Sequence, residues 1–177
     1  NEFTLSYNYG VGATYKNEDY SDLNSKTVTY GEPYGTLPTT QATVEYNKEE
    51  FSGADSPYQN PKWYMNPVKT PTSTEITASS IYNIQGNSTI YQLFETQTYT
   101  IHFNLNAPTG STNPASYNDI VAEYGAMIHE PQSPTREGYT FVGWYRVDNP
   151  EEGDNKFIFN TMPPSKTNKT TTLYAKW

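Results

Sequence analysis

Three stretches of this chain occur twice, in the same order. Phe3-Thr4-Leu5-Ser6-Tyr7-Asn8-Tyr9 returns as Tyr99-Thr100-Ile101-His102-Phe103-Asn104-Leu105. Val28-Thr29-Tyr30-Gly31 returns as Val121-Ala122-Glu123-Tyr124-Gly125 with one residue of slippage, and Thr89-Ile90-Tyr91-Gln92-Leu93-Phe94 returns as Thr172-Leu173-Tyr174-Ala175-Lys176-Trp177. Each copy therefore opens and closes on a strand-like segment. Repetition at this scale characterises arrays, in which units are added for reach or valency. A catalytic centre instead gathers unlike residues once. The doubling predicts two domains, 1–95 and 96–177, joined near Glu95 to Gln97, and a non-catalytic, modular protein.

A unit of this size buries a thin core, hiding roughly 60–65% of its unfolded surface. Leu, Ile, Val and Phe together make only 28 of 177 residues, a poor aliphatic supply that by itself points toward disorder. Seventeen Tyr and three Trp answer it, because aromatic rings bury large areas and Tyr keeps a hydroxyl for water. The aromatics also alternate with polar residues, which disordered segments seldom do. The net charge of −8 and pI near 4.7 repel phosphate backbones, so nucleic acid is not an expected partner. No apolar run reaches the length of a membrane span, no signal peptide is recognised, and the chain begins at Asn1, as a mature protein or an excised piece would. The absence of Cys removes disulfides, thiolate metal sites and cysteine nucleophiles without fixing the compartment.

Period-two alternation dominates the pattern. Phe3, Leu5, Tyr7 and Tyr9 share one strand face, as do Tyr99, Ile101, Phe103 and Leu105. Further strands are predicted at Lys26 to Tyr30, ended by Gly31 and Pro33, and at Tyr139 to Val142, with Gly138 at a turn and Gly143 at a bulge. Another is predicted at Phe157 to Phe159, after the acidic hairpin-like loop Asp148 to Asp154. Leu173, Ala175 and Trp177 form one face of the closing strand. At most a short helical turn is expected, around Asn118 to Tyr124 or Asn47 to Phe51. The class is β-rich.

The block Pro134-Thr135-Arg136-Glu137-Gly138-Tyr139-Thr140-Phe141-Val142-Gly143-Trp144-Tyr145, followed by Phe159-Asn160 and Thr172-Leu173-Tyr174-Ala175-Lys176-Trp177, closely resembles the internalin B-repeat family, also called the Listeria–Bacteroides repeat. With Tyr99 to Leu105 as first strand, the resemblance covers most of 96–177. Residues 1–95 resemble a diverged member: Tyr30 to Pro38 fits the second strand and turn. No G-Y-x-F-x-G-W block precedes Trp63-Tyr64, however, and about a dozen extra residues lie around Val44 to Asn60. The resemblance implies a β-rich α+β class with little helix: two tandem, small β-grasp-like (ubiquitin-like) modules. In the second, Tyr139, Phe141, Trp144 and Trp177 would fill the core. It also implies an exported bacterial protein, extracellular and cell-surface associated, and it carries no general biochemical activity.

Candidate chemistry is sparse. The carboxylate clusters Glu49/Glu50, Asp19/Asp22 and Glu151/Glu152/Asp154 lie in polar, loop-like sequence and read as solvated loops; the last lacks EF-hand spacing for Ca²⁺. His102 falls on the polar phase of a strand and His129 lies elsewhere, so neither makes a metal or base site. Leu37-Pro38-Thr39-Thr40 is followed by Gln41 where a sortase signal needs Gly, and reads as a turn. The sequons at Asn87 and Asn168 are formal only. Lys26 lies in a strand, but no Asn or acid partner for an isopeptide crosslink is identified. No catalytic, metal-binding or cofactor-binding residue is assigned. The candidate ligand-binding residues are Tyr15, Tyr20, Tyr58 and Tyr64, which fall outside the alternating pattern amid Asn, Asp and Gly; such rings stack on sugars or anchor interfaces, or else cap a thin core. The insertion near 44–60 is the expected place for specificity, since binding residues ride on loops over a rigid frame. The functional expectation is a tandem adhesion and spacer region of a surface protein, with a host or bacterial surface protein or glycan as partner. The alternative is a carbohydrate-binding module pair of a larger secreted protein, marked by a row of exposed coplanar aromatics. A glycosidase, needing two carboxylates in one cleft, ranks last.

Overall fold

Strands that alternate core-facing and polar residues must pair along their backbones and bury one face, and the chain does this twice. The computed structural model describes residues 1–10, 14–16 (as backbone), 24–106 and 117–177. Its residues divide into two compact units, Asn1–Thr96 and Gln97–Trp177. Both are strand-rich, and the described residues contain no helix beyond one 3₁₀ turn.

The first unit contains β1 (Glu2–Asn8), β2 (Thr14–Lys16), β3 (Ser25–Thr29), β4 (Gln41–Tyr46), β5 (Glu49–Phe51), the 3₁₀ turn Gly53–Asp55, β6 (Tyr58–Tyr64) and β7 (Ser88–Thr96). Its main sheet has the order β3-β1-β7-β6. The central pair β1 and β7 is parallel, while β3 and β6 flank it antiparallel. A second, three-stranded sheet runs β2-β4-β5. The second unit contains β8 (Thr98–Asn104), β9 (Ile120–Glu123), β10 (Gly143–Tyr145) and β11 (Thr170–Lys176), in the order β10-β11-β8-β9. Here too the first and last strands, β8 and β11, form a parallel central pair with antiparallel neighbours on each side. A parallel pair needs a long crossover, which explains why each unit opens and closes on strands that are adjacent in space but far apart in sequence.

The correspondence extends to register. Tyr7 lies opposite Ile90 as Phe103 lies opposite Leu173. Trp63 and Tyr64 lie opposite Gln92 and Tyr91, as Trp144 and Tyr145 lie opposite Ala175 and Tyr174. Phe3 pairs with Val28 and Tyr99 with Ala122. Tyr30-Gly31 therefore matches Tyr124-Gly125 without the slippage read from sequence. Both glycines have positive φ, +86° and +76°, which lets the chain leave its strand in the left-handed region. Beyond them, Gly31 N–H donates to Tyr82 O at 2.8 Å and Tyr82 N–H to Glu32 O at 2.9 Å; Gly125 and Met162 repeat the exchange through Met162 O and Ala126 O at 3.0 and 2.8 Å. Ile76 N–H reaches Trp63 O at 2.8 Å, and Phe157 N–H reaches Trp144 O at 2.7 Å.

The cores follow from this frame. Leu5, Tyr7, Val28, Tyr34, Trp63, Ile76, Tyr82 and Ile90 pack in the first unit. Tyr99, Ile101, Phe103, Ile128, Trp144, Phe157, Met162, Leu173 and Ala175 pack in the second. Rings meet edge-on or tilted: Phe103 and Trp144 at 4.7 Å, Tyr7 and Trp63 at 5.3 Å, Tyr34 and Tyr82 at 5.4 Å. Such pairs add about 0.5–1.5 kcal/mol each beyond area burial, which offsets the scarcity of aliphatic residues.

Several sequence expectations are corrected. Tyr139 to Val142 is not a strand. Arg136 and Tyr139 bridge across a turn at Gly138 (φ +79°), and pairing begins only where Val142 N–H meets Lys176 O at 2.8 Å. Tyr139 is not in the core but 49% exposed, its ring 4.0 Å from the guanidinium carbon of buried Arg136, which also lies 5.3 Å from the Trp177 ring. Gly143 opens β10, and a Cβ there would sit 2.3 Å from Lys156 Cε, so it makes room for that side chain. Phe157 to Phe159 is not a strand: an isolated bridge joins Tyr145 to the preceding Lys156, and Phe157 N–H reaches Trp144 O. Asn118 to Tyr124 contains β9, and Asn47 to Phe51 contains the β4–β5 turn and β5. Leu37 to Thr40 forms neither a turn nor a strand and leads into β4.

Candidate functional site

The two units differ most between their second and third frame positions. Tyr34 and Trp63 are separated by 28 residues, whereas their counterparts Ile128 and Trp144 are separated by 15. The additional chain in the first unit builds the β4–β5 hairpin and the 3₁₀ turn. Asn47 and Lys48, at φ 51° and 64°, close that hairpin; a two-residue loop with both φ values positive matches the twist of the strands it joins.

Beside this hairpin lies a cleft of about 670 Å³. Thr39, Gln41, Thr43, Ser52, Gln59 and Asn60 contribute hydroxyls and amides to its lining, while Tyr58 and Phe94 contribute rings. The rings are 5.9 Å apart and tilted by 57°, which makes an apolar corner rather than a flat platform. Gln59 is held by its own amide: Nε2 donates to Gly53 O at 2.9 Å and Ser56 O at 2.7 Å. Asn60 (φ 52°) donates from Nδ2 to Glu95 Oε2 at 2.6 Å. Both side chains therefore keep carbonyl oxygens as acceptors. Beneath the cleft, Thr40 donates its hydroxyl to Gln92 Oε1 in a buried pair, and Trp63 Nε1 donates to Pro38 O at 3.0 Å. These two bonds tie the inserted chain to the main sheet. Among the described residues Glu50 is the one charged residue in the lining.

The four candidate tyrosines do not form one site. Tyr58 lines the cleft. Tyr64 is buried, 5% exposed, with Lys69 Nζ 5.8 Å from its ring centre. Tyr15 lies on β2, paired with Ala42, and nothing beyond its backbone is described; Tyr20 lies outside the described residues. Ser52, Gln59 and Asn60 fall within the insertion expected near 44–60; Phe94 lies outside it, as do the threonines around Gln41. Their signal was the polar run Thr39-Thr40-Gln41-Ala42-Thr43 directly before the insertion. Among the described residues the exposed aromatics are Tyr30 and Tyr139, one in each unit.

The remaining candidates are spread over the surface. His102 Nδ1 meets Asp119 Oδ1 at 2.8 Å in a solvent-exposed pair, and His129 is exposed elsewhere. Asp154 accepts Glu151 N–H at 2.7 Å, so that carboxylate caps its own loop; Asp19 and Asp22 lie outside the described residues. No group of three or more acidic or histidine side chains suited to a metal occurs among the described residues. Lys26 Nζ donates to Tyr34 O and to Thr36 O (2.7 Å), and burial lowers its pKa. Its neighbours are main-chain carbonyls, not the Asn and acid that an isopeptide bond requires. No helix among the described residues is long and apolar enough to cross a membrane.

Residues 99–176 match the Listeria-Bacteroides repeat domain. Internalin H of Listeria monocytogenes is 27% identical over 98% of the chain. Two Evansella cellulosilytica proteins named as membrane proteins, the second as Gly-rich, are 33% and 30% identical over 65% and 81% of the chain. The chain spans only 30% of Internalin H and 15% and 14% of the two Evansella proteins. No solved structure matches the chain significantly. The family match thus lies within the second unit, Gln97–Trp177.

Proposed function

We propose that the chain is a tandem pair of β-grasp-like repeats, the first a diverged copy with an insertion, from the surface-exposed region of an exported bacterial protein. The pair acts as adhesion and spacer modules without catalysis. The observation that carries this reading is the shared register: Trp63 and Trp144 occupy the same place on the strand beside the closing strand of their units. Parallel first and last strands at the centre of a small mixed sheet support the β-grasp assignment. The names of the relatives, internalin and membrane proteins, support a surface location. A protein or glycan of a host or bacterial surface is the partner class that fits such a region. A pair of carbohydrate-binding modules is less well supported, because one exposed aromatic per unit among the described residues gives no row of stacking platforms.

The test is urea unfolding of the full chain, with amide exchange read by mass spectrometry on peptides from each closing strand. Two separable cooperative transitions are expected, one for Ser88–Thr96 and one for Thr170–Lys176. A single transition shared by both peptides would mean one domain and would overturn the tandem reading.

A further inference from the structure

Residues that one unit has and its counterpart folds without are free to serve something other than the frame. In the first unit those residues make a cleft, and its lining has a consistent chemistry. Its volume of about 670 Å³ falls within the roughly 300–1,000 Å³ usual for small-molecule sites. Three threonines, a serine, two glutamines and an asparagine line it with donors and acceptors in close alternation. Among the described residues neither Lys, Arg nor His lines it, and Glu50 is acidic. On a chain of net charge −8, that combination rejects phosphate, sulfate and carboxylate ligands. Among the described lining residues there is no second carboxylate to join Glu50 on a cation. The tilted Tyr58 and Phe94 rings provide an apolar wall against which a C–H-rich face can pack.

We infer that this cleft binds a short, uncharged oligosaccharide. Such a ligand presents hydroxyls, each both donor and acceptor, around an otherwise apolar ring face. It matches a lining in which Thr39, Gln41 and Thr43 offer both kinds of group, and Gln59 and Asn60 offer carbonyl oxygens while their amide N–H groups hold Gly53, Ser56 and Glu95. The positioning is rigid where it must be: Gln59 is fixed by one bond to the 3₁₀ turn at Gly53 and one to Ser56 just after it, and β6 is paired with β7. The second unit lacks this insertion, so recognition belongs to the first unit alone. The inference rests on the cleft itself and stands whether or not the two units are copies of one repeat.

The experiment titrates the full 177-residue chain with neutral gluco-, manno-, xylo- and N-acetylglucosamine oligomers. Amide NMR shifts and calorimetry are the readouts, with a sulfated oligosaccharide and a Thr/Gln-rich peptide as contrasts. Saturable shifts confined to residues 39–43, 52–60 and 94 are expected for at least one neutral oligomer. Ala54→Arg, which places a long charged side chain on the cleft wall, should abolish binding, and Gln41→Ala should weaken it about tenfold, the scale of one well-made polar contact. Tyr58→Ala should do the same; because it also removes packing on Phe94, the two other variants carry the result if it unfolds. Both are surface positions, so an unchanged urea midpoint certifies the fold. The inference is overturned if no neutral oligomer saturates, if the sulfated sugar or the peptide binds better, or if Ala54→Arg binds as the parent does.

Discussion

The buried pair of Thr40 and Gln92 offers a test of how the insertion is held. Gln92 is 1% exposed and Thr40 is 5% exposed, and the Thr40 hydroxyl donates to Gln92 Oε1. The frame position of Gln92 is taken by Ala175 in the second unit, where no inserted chain crosses it. Thr40→Val keeps the shape but leaves the Gln92 carbonyl buried without that donor, which costs about 1–3 kcal/mol. A loss of about 2 kcal/mol lowers the midpoint of a domain this size by about 8–16 °C. Gln92→Leu alone strands the Thr40 hydroxyl at a similar cost. The double variant replaces both partners with apolar groups and should be less destabilised than the two singles added together, by about 1–2 kcal/mol of coupling. The assay is urea unfolding of the full chain read on the Ser88–Thr96 peptide, with the Thr170–Lys176 peptide as internal reference. Additive single costs, or an equal shift in both peptides, would refute the claim that this hydrogen bond ties the insertion to the first unit's sheet.

Three further outcomes follow from local geometry and charge. Gly125→Ala meets no atom within 4 Å but must hold φ at +76°, so the second unit should lose about 1–2 kcal/mol in urea melts. Lys48→Gly relieves the left-handed strain at φ 64° in the β4–β5 turn; after the entropy of the unfolded glycine is counted, the first unit should gain about 0.5–1 kcal/mol in the same assay. Burial, with a smaller contribution from neighbouring Tyr9, pushes Tyr7 from 10.0 up to about 12. The unfolded phenol therefore ionises first: the contribution of Tyr7 to stability is whole below pH 10 and falls away between pH 10 and about 12. Tyrosinate absorbance should show late-titrating phenols, and Tyr7→Phe should flatten the first unit's loss of stability across that window.

What could be read in advance was whatever alternates. Leu5, Tyr7, Ile101, Phe103 and Leu173 were placed on core faces because side chains of a strand repeat every two residues. Asn118 to Tyr124 carries at most a weak signal for a helical turn, and its pairing with β8 shows Ile120–Glu123 to be a strand. Tyr139 to Val142 has strand composition, but Gly138 turns the chain there and leaves only Val142 in reach of β11. The β4–β5 hairpin was hidden for the opposite reason: its turn uses Asn47-Lys48 rather than a glycine. Of the candidate site, Tyr58 and the 44–60 insertion around it are legible; Phe94 and the threonines around Gln41 are not. Phe94 reads as one more residue of a closing strand, and Thr39 as part of the turn expected at Leu37 to Thr40. What made them a site was Pro38 and Thr40 bonding to Trp63 and Gln92, contacts that span 25 and 52 residues.

The placement of each unit's first and last strands side by side at the centre of its sheet, running the same way, bears on how such a chain carries tension. A pull on the two ends of a unit drives β1 against β7, or β8 against β11, along their lengths. Every hydrogen bond between the pair is then loaded together instead of being peeled one at a time. The flanking strands and the inserted hairpin lie off that line of force. A unit built this way can gain or lose a binding loop without changing what holds under strain.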